Sequence, residues 1–323
     1  MKVSVCIPTY NSSSTIQDTL ASVFQQVSMP DEILVLDDGS TDNTVEIVRS
    51  YGPRVTVFQE GHEGIVKVRN AFCRRAHGDL LAFLDSDDIW HSQYLATQKK
   101  LFEHHPDAAV CFTGHLNFSN RGPYEWSDKQ VDGLLVPETF DPVEFFTQYN
   151  FATGRFGSMS YCCIAKRILD KIGPDPFGAS DVSPTEDSHC LYLVALSGGI
   201  AIYSPAELVA YRISQSSISN NRLRGFRSWV RTFEILEDRF RQEADSSLYH
   251  SFMAAFAAKR RSYGKILMAA GMVEEARLQM RQSLTGTDPV SKAKSSALLF
   301  STYLPRHLQP NWSPTHRQTQ TAA

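Results

Sequence analysis

The first 112 residues carry a rhythm that few architectures accept: short apolar runs of strand length alternate with stretches of helical periodicity. Residues 3–7 form an apolar run suited to a parallel strand buried on both faces, and residues 32–36, 55–58, 80–84 and 108–112 repeat the pattern. Between them, Ile16, Leu20, Val23 and Phe24 recur at helical spacing behind the N-cap candidates Ser12 to Ser14. Val45, Ile47 and Val48 follow Asp42, Val68, Phe72 and Ala76 follow Gly64, and residues 94–104 read as a further helix. Strand and helix in repeated alternation predict an α/β fold with a mostly parallel central sheet flanked by helices.

The pattern loosens over residues 113–156, where Asn120-Arg121-Gly122-Pro123 is a turn cluster and Asp132-Gly133 can turn a hairpin. Residues 164–172 read as a helix ending before Gly173-Pro174, and residues 188–196 as another stopped at Gly198-Gly199. Residues 200–203 and 208–212 read as strands. After residue 220 the strand signals stop, and amphipathic helices are expected from 223 to 284, with residues 263–284 forming a helical hairpin. A short apolar run at 295–304 ends at Pro305, and the polar residues beyond it are expected to be disordered.

Apolar residues at 42% and charged residues at 21% allow a large core. A formal net charge of -3 gives no electrostatic reason to expect nucleic acid. The charge is unevenly spread: from Arg222 onward 16 Lys/Arg stand against 8 Asp/Glu, leaving 16 against 27 before it. Such a basic region is either a solvated helical surface or one that leans on anionic lipid headgroups. None of Cys6, Cys73, Cys111, Cys162, Cys163 and Cys190 forms a C-x-x-C pair, which fits reduced, mostly buried thiols. Met1-Lys2-Val3 runs into the first strand without room for a signal peptide, and no apolar stretch reaches the roughly 18 residues needed to span a bilayer. The expectation is a cytoplasmic protein, with peripheral contact on the inner face of the cytoplasmic membrane through the basic C-terminal region.

Chemistry concentrates at the ends of the strands. Leu84-Asp85-Ser86-Asp87-Asp88 follows an apolar strand, so its acids point into the crevice where ligands bind in open α/β sheets. Three carboxylates within four residues repel one another unless a divalent cation sits among them; a solvated turn capping the next helix is the plainer reading. Asp37-Asp38-Gly39-Ser40-Thr41-Asp42 makes a tight βα turn, which leaves the Asp37–Asp38 pair unexplained; a carboxylate there could accept from a base imide or a ribose hydroxyl. Pro8-Thr9-Tyr10-Asn11 offers a ring to a nucleobase or is simply the turn leading into a helix. Lys67 and Arg69 are exposed helix charges or lie near a nucleotide. Glu186-Asp187 opens a helix, an ordinary dipole pairing or a working acid pair. Tyr211-Arg212, before Ser214, Ser216 and Ser217, closes the series.

In this order the motifs resemble glycosyltransferase family 2 over roughly residues 2–219, most specifically in the first hundred. The resemblance implies the GT-A (nucleotide-diphospho-sugar transferase) fold. Its catalytic domain would span 1–220, with a nucleotide-binding half at 1–112 and an acceptor-side half at 113–220. A helical C-terminal region at 221–309 and a disordered tail at 310–323 would follow. The implied activity is metal-dependent, inverting transfer of a sugar from a nucleotide-diphosphate donor, a UDP-sugar favoured, to a hydroxyl. The acceptor would be a glycan or a lipid-linked molecule in polysaccharide, lipopolysaccharide or other cell-envelope glycoconjugate synthesis.

By the same resemblance Pro8, Thr9 and Tyr10 would border the nucleoside, Asp38 would contact the base, and Arg69 would lie near the nucleotide. Asp85-Ser86-Asp87-Asp88 matches the D-x-D motif: Asp85 and Asp87 fit its ends, Asp88 is an extra acid, and Mn²⁺ or Mg²⁺ is the expected ion. Asp85 and Ser86 would also border the donor, and Glu186 would orient its sugar or support the helix end. Asp187 matches the catalytic base. Many relatives carry a His after the last sheet strand; here Tyr211-Arg212-Ile213-Ser214 has none, and Arg212 either clamps the diphosphate or is structural. Two alternatives compete. A sugar nucleotidyltransferase usually has a Gly-rich loop where Thr9-Tyr10-Asn11-Ser12 stands, and a non-catalytic nucleotide-sugar-binding scaffold would not need Asp187 with a complete acidic motif. The absence of G-x-G-x-x-G after the first strand argues against a dinucleotide-dependent oxidoreductase.

Overall fold

A computed structural model of the chain describes residues 1–119, 123–126, 136–151, 156–213, 221–285, 289–310 and 312. The expected turns at residues 120–122 and Asp132-Gly133, the serines from Ser214 to Ser217 and nearly all of the 310–323 tail lie outside the described residues. The chain forms two compact units, Met1–Ser217 and Ile218–Ala323.

In the first unit the expected alternation is present. β1 (Val3–Thr9), β2 (Glu32–Asp37), β3 (Thr56–Gln59) and β4 (Leu80–Phe83) are parallel neighbours in the order β3-β2-β1-β4. Helices α1 (Ile16–Phe24), α2 (Thr44–Arg49) and α3 (Ile65–Arg75) connect them. Every residue of β1 and β4 is buried, as continuous apolar strands require when helices cover both faces. Each fully buried Val, Leu or Phe contributes about 1.5–3 kcal/mol of apolar burial. Because the chain steps from β1 to β2 on one side and reaches β4 on the other, the carboxyl ends of β1 and β4 open a crevice between them.

The second half of this unit departs from the sequence reading. After β5 (Ile89–Trp90), α4 (Tyr94–His104) and β6 (Ala108–Phe118), residues 162–165 form β8, not the first turn of a helix. β8 (Cys162–Ala165) is antiparallel to both β4 and β6, filling the gap between two parallel blocks, and α6 (Lys166–Ile172) starts behind it. Its four residues are wholly buried, so tertiary pairing overrides the helical periodicity. The two expected strands at 200–203 and 208–212 are one, β9 (Ile200–Arg212), parallel to β6 with register shifts around Gly114. β7 (Glu138–Phe140) adds to β9. A missed helix, α5 (Pro142–Phe151), is opened by a reciprocal cap in which Glu144 N donates to Asp141 Oδ1 (2.8 Å) and Asp141 N to Glu144 Oε2 (3.3 Å). Helix α7 (Glu186–Leu196) precedes β9.

The second unit is helical: α8 (Arg222–Glu243), α9 (Ser246–Ala269), α10 (Val273–Gln282) and α11 (Pro289–Ser301). Asn221 and Asp245 cap α8 and α9 through Arg224 N and Leu248 N. Phe233, Phe240, Phe252 and Phe256 join α8 to α9 by ring contacts at 4.2–5.1 Å. The expected hairpin is the α9–α10 pair, turned at Gly271 with φ +79°, a conformation that favours glycine. Among the described residues no helix is long and apolar enough to cross a membrane.

Gly78, just before β4, gives a sharp test of how closely β1 and β4 meet. A Cβ there would lie 2.6 Å from both Ser4 N and Ser4 Oγ. Gly78→Ala is expected to destabilise the chain by about 1–3 kcal/mol, read from the urea unfolding midpoint.

Candidate active site

The loops after β1 and β2 are stitched together. Asn11, with φ 49°, donates its amide to Ser40 Oγ (2.8 Å) and accepts Thr41 N (2.8 Å) on Oδ1. Ser12 N reaches Thr44 Oγ1 (2.8 Å), and Ser13 N reaches Asp42 Oδ2 (3.1 Å). Against the cost of its burial, the Thr44 and Ser13 donors hold the Asp42 carboxyl down at about 2. The Asp37–Asp38 pair acquires two distinct tasks. Asp37 accepts the amide and hydroxyl of Ser40, fixing the turn, while Asp38 accepts Glu63 N (2.7 Å) and Gly64 N (3.0 Å). Pro8 and Thr9 are buried, whereas Tyr10 is 45% exposed, with its ring 4.4 Å from that of His62. His62, whose Nδ1 lies 3.1 Å from the Asp38 carbonyl, went unnoticed because nothing in its sequence neighbourhood marks it.

The acidic turn after β4 sits beside this loop pair, with Ser86 Oγ 2.7 Å from Ser12 Oγ. Asp85 N donates to Ser160 Oγ (3.0 Å), and Thr19 Oγ1 donates to Asp88 O (2.9 Å). Burial and the Asp85 charge push the Asp87 carboxyl up to about 6. Asp88 is fully buried, and burial with its two acidic neighbours pushes its carboxyl well above the ordinary range. Arg212, 8% exposed, closes the turn from β9: its amide donates to Asp88 Oδ1 (2.9 Å) and its Nε to Asp87 O (2.8 Å). Its guanidinium also lies over the Phe118 ring, 4.4 Å from the centroid. The arginine that the sequence offered as a diphosphate clamp is thus built into the acidic turn.

Arg69 brings the remaining motifs together. It is not an exposed helix charge: only 3% of it is accessible, and α3 aims it inward. Nη2 donates to Asp85 Oδ1 (2.9 Å), while Nη1 donates to Glu186 Oε1 (2.8 Å) and to Asp187 Oδ1. The neighbouring Asn70 donates to Gly178 O (2.9 Å) and accepts Phe177 N (2.9 Å), anchoring the segment that leads to α7. Lys67, by contrast, is exposed and pairs with Glu63. Asp187 therefore faces the Asp85 end of the acidic turn, with side-chain exposures of 24% and 28% for the two acids.

Three rings lie beside the acids, and two of them, His115 and Tyr161, were not singled out in the sequence. His115 on β6 stacks on Tyr161 at 4.1 Å and 9°, and Tyr211 on β9 meets both edge-on. Burial and the charges of Asp88 and Asp85 push both phenols up, and burial pushes the imidazole down. Register relates two of them: His115 pairs with Val209 and Asn117 with Tyr211, so His115 and Tyr211 lie two positions apart on adjacent strands.

Asp85, Asp87, Asp88 and Asp187 provide only hard oxygen donors, the set that suits Mg²⁺ or Mn²⁺. Asp88 Oδ2 and Glu186 Oε2 are buried without a hydrogen-bond partner, and a cation would reverse the crowding that raises Asp87. The donor chemistry fits a divalent ion. Among the described residues no three His, Cys, Asp or Glu side chains form a ready metal cage.

Removing the guanidinium would strand three acids around one partly buried point. Arg69→Met is expected to cost about 3–5 kcal/mol, measured by urea denaturation.

Residues 4–172 match the family model described as glycosyl transferase family 2. The chain is 38% identical over 124 residues to the putative teichuronic acid biosynthesis glycosyltransferase TuaG of Bacillus subtilis, covering 37% of this chain and 49% of TuaG. It thus spans about half the length of that relative. It is 28% identical over 241 residues to WfgD of Escherichia coli, a UDP-Glc:α-D-GlcNAc-diphosphoundecaprenol β-1,3-glucosyltransferase, covering 73% of this chain and 85% of WfgD. Residues 1–349 of Staphylococcus aureus TarS, solved with UDP-GlcNAc, superpose with a TM-score of 0.66 at 19% identity, covering 93% of this chain and 84% of that one. The fold is that of the GT-A glycosyltransferases, an α/β sheet with C-terminal helices. With just over half of its length matched by the family model, the chain belongs to glycosyl transferase family 2.

Proposed function

We propose that the chain transfers one sugar from a nucleotide-diphosphate donor to an acceptor hydroxyl with inversion at the anomeric carbon. The observation that carries this reading is the single guanidinium of Arg69 holding Asp187 opposite the Asp85 end of the acidic turn. Tyr10 and Thr9, with Asp38 below them, would receive the nucleoside, and His62 would extend the ring surface of Tyr10. Ser86 and Asp85 would line the path of the diphosphate. Arg69 and Arg212 act as positioning residues, since their hydrogen bonds are directed at the acids and at the backbone of the turn.

In the reaction, the Asp187 carboxylate takes the proton of the acceptor hydroxyl as that oxygen attacks the anomeric carbon. The bond from that carbon to the donor phosphate oxygen breaks, and its electron pair leaves with the nucleoside diphosphate. Attack and departure on opposite faces invert the centre. Glu186, 5% exposed, steadies Arg69 and thereby the aim of Asp187. Asp87, with Asp85 or Asp88, would hold a Mn²⁺ or Mg²⁺ ion, which supplies Lewis-acid stabilisation of the leaving diphosphate when bound. The ring of Tyr211, edge-on to the stacked His115–Tyr161 pair, would offer an aromatic contact to a sugar ring near the acids.

A UDP-sugar is the favoured donor, supported by the donor that WfgD is named for and by the UDP-GlcNAc bound in TarS. A lipid-linked glycan of the cell envelope is the favoured acceptor class, supported by the diphosphoundecaprenol acceptor in the WfgD name and by the teichuronic acid role in that of TuaG.

Incubation of the purified chain with UDP- and GDP-sugars, with and without Mn²⁺, tests the reading through nucleoside diphosphate release. A UDP-sugar is expected to turn over with metal, and a chelator is expected to abolish release. Absence of release from every donor would count against glycosyl transfer. Asp187→Asn should keep donor affinity while transfer falls by roughly 10²–10⁴-fold. Wild-type turnover in that variant would remove Asp187 from its role.

A further inference from the structure

Helix α11 leaves large apolar side chains on its exposed face. Its fully buried residue is a serine: Ser295 Oγ receives Arg261 Nη1 (3.2 Å) and lies 2.8 Å from Ser283 Oγ, facing α9 and α10. At about 100° per residue, Val290, Ala293, Ala297 and Phe300 fall within about 40° of the direction opposite Ser295. The structure agrees, since Val290 is 63% and Phe300 68% exposed, and both alanines are exposed. Leu298 and Leu299 are half-buried on the inward side, so α11 carries apolar side chains on both faces and presents Val290 and Phe300 outward.

The outward face continues past the helix. Tyr303 is 52% and Leu308 58% exposed, so one stretch of 19 residues holds four of the large exposed apolar side chains. Its flanks are basic. Lys292 and Lys294 are exposed and fall on opposite sides of the apolar strip. On α10, Arg277 lies 4.0 Å from the Tyr303 ring centroid, and Arg281 Nη2 donates to Tyr303 Oη (2.6 Å). Residues 289–323 contain Lys292, Lys294, Arg306 and Arg317 and no Asp or Glu. An apolar strip with an aromatic ring, flanked by lysines and with no acid on α11 itself, complements an anionic bilayer surface, although Arg277 at its edge is paired with Glu274 (2.6 Å). There the apolar side chains enter the headgroup boundary while the lysines meet lipid phosphates.

We propose that α11 and residues 302–308 form a docking face for anionic membrane lipid. The inference is independent of the chemistry assigned to the first unit. A second copy of the chain could also cover an apolar strip. Its own strip would carry the same lysines and no acid to receive them, and so the charge pattern favours lipid.

The test is flotation of the full chain with phosphatidylcholine vesicles, with and without phosphatidylglycerol. The wild type should float only with the anionic vesicles and be released by salt. Lys292→Glu with Lys294→Glu should weaken binding about tenfold or more, and Val290→Glu with Phe300→Glu likewise. All four side chains point outward, and circular dichroism checks that the helices persist. A probe on Ala297→Cys reports insertion directly, because the six native cysteines are buried; its emission should shift to the blue with anionic vesicles alone. Three results would each overturn the proposal: no flotation of the wild type, flotation of Val290→Glu/Phe300→Glu equal to wild type, or dimerisation abolished by that variant without lipid binding.

Discussion

One buried cation organises the crevice at the carboxyl ends of the strands in the first unit. Arg69 sits on α3, far in sequence from every acid it touches except Asp85, and its two terminal nitrogens reach the turn after β4 and the start of α7. Burying a guanidinium is costly unless several hydrogen-bonded charges surround it, and three carboxylates do so here. The charges hold each other in place: without Arg69 the acids repel, and without the acids Arg69 would be an unpaired buried ion. Asn70, one residue on, fixes the 177–178 segment to the same helix. The distance between a prospective base and the acidic turn is therefore set by one rigid helix rather than by two independent loops.

The acidic turn itself is stabilised from the opposite side by β9. The backbone and side chain of Arg212 both hydrogen-bond to it, and Thr19 holds its far end. Backbone amides and fixed guanidinium groups partly offset the repulsion among Asp85, Asp87 and Asp88, yet burial still leaves Asp87 and Asp88 with raised carboxyls. That residual imbalance is what a hard divalent ion relieves.

Much of this was legible in the residues, unevenly. β1, β2, β4 and the start of β6 followed from periodicity because each apolar run is long enough to be buried; β3 was read too although it is half-exposed, and the two-residue β5 was not marked. The placement of Pro8–Asn11, Asp37–Asp38 and Asp85–Asp88 in one crevice followed from topology alone. β8 was not readable, since Cys162–Ala165 becomes a strand only when β4 and β6 leave a gap for it. The inward aim of Arg69 was equally hidden, because charge at one position says nothing of rotation about the helix axis. The cap at Asp141–Glu144 was a local signal that could have revealed α5. The outward apolar strip of α11 needed to be seen against Ser295, for only the buried face tells which side of a helix remains.

The hydrogen bonds that join Asn11, Ser12 and Ser13 to Ser40, Thr41, Asp42 and Thr44 have a consequence for ligand capture. A nucleoside bound there, as proposed, would meet walls already fixed by folding, including a non-glycine residue held at positive φ. Little conformational entropy remains to be lost on association, so more of each contact with the incoming ring and ribose appears as affinity. Recognition at that end of the crevice would therefore be rigid.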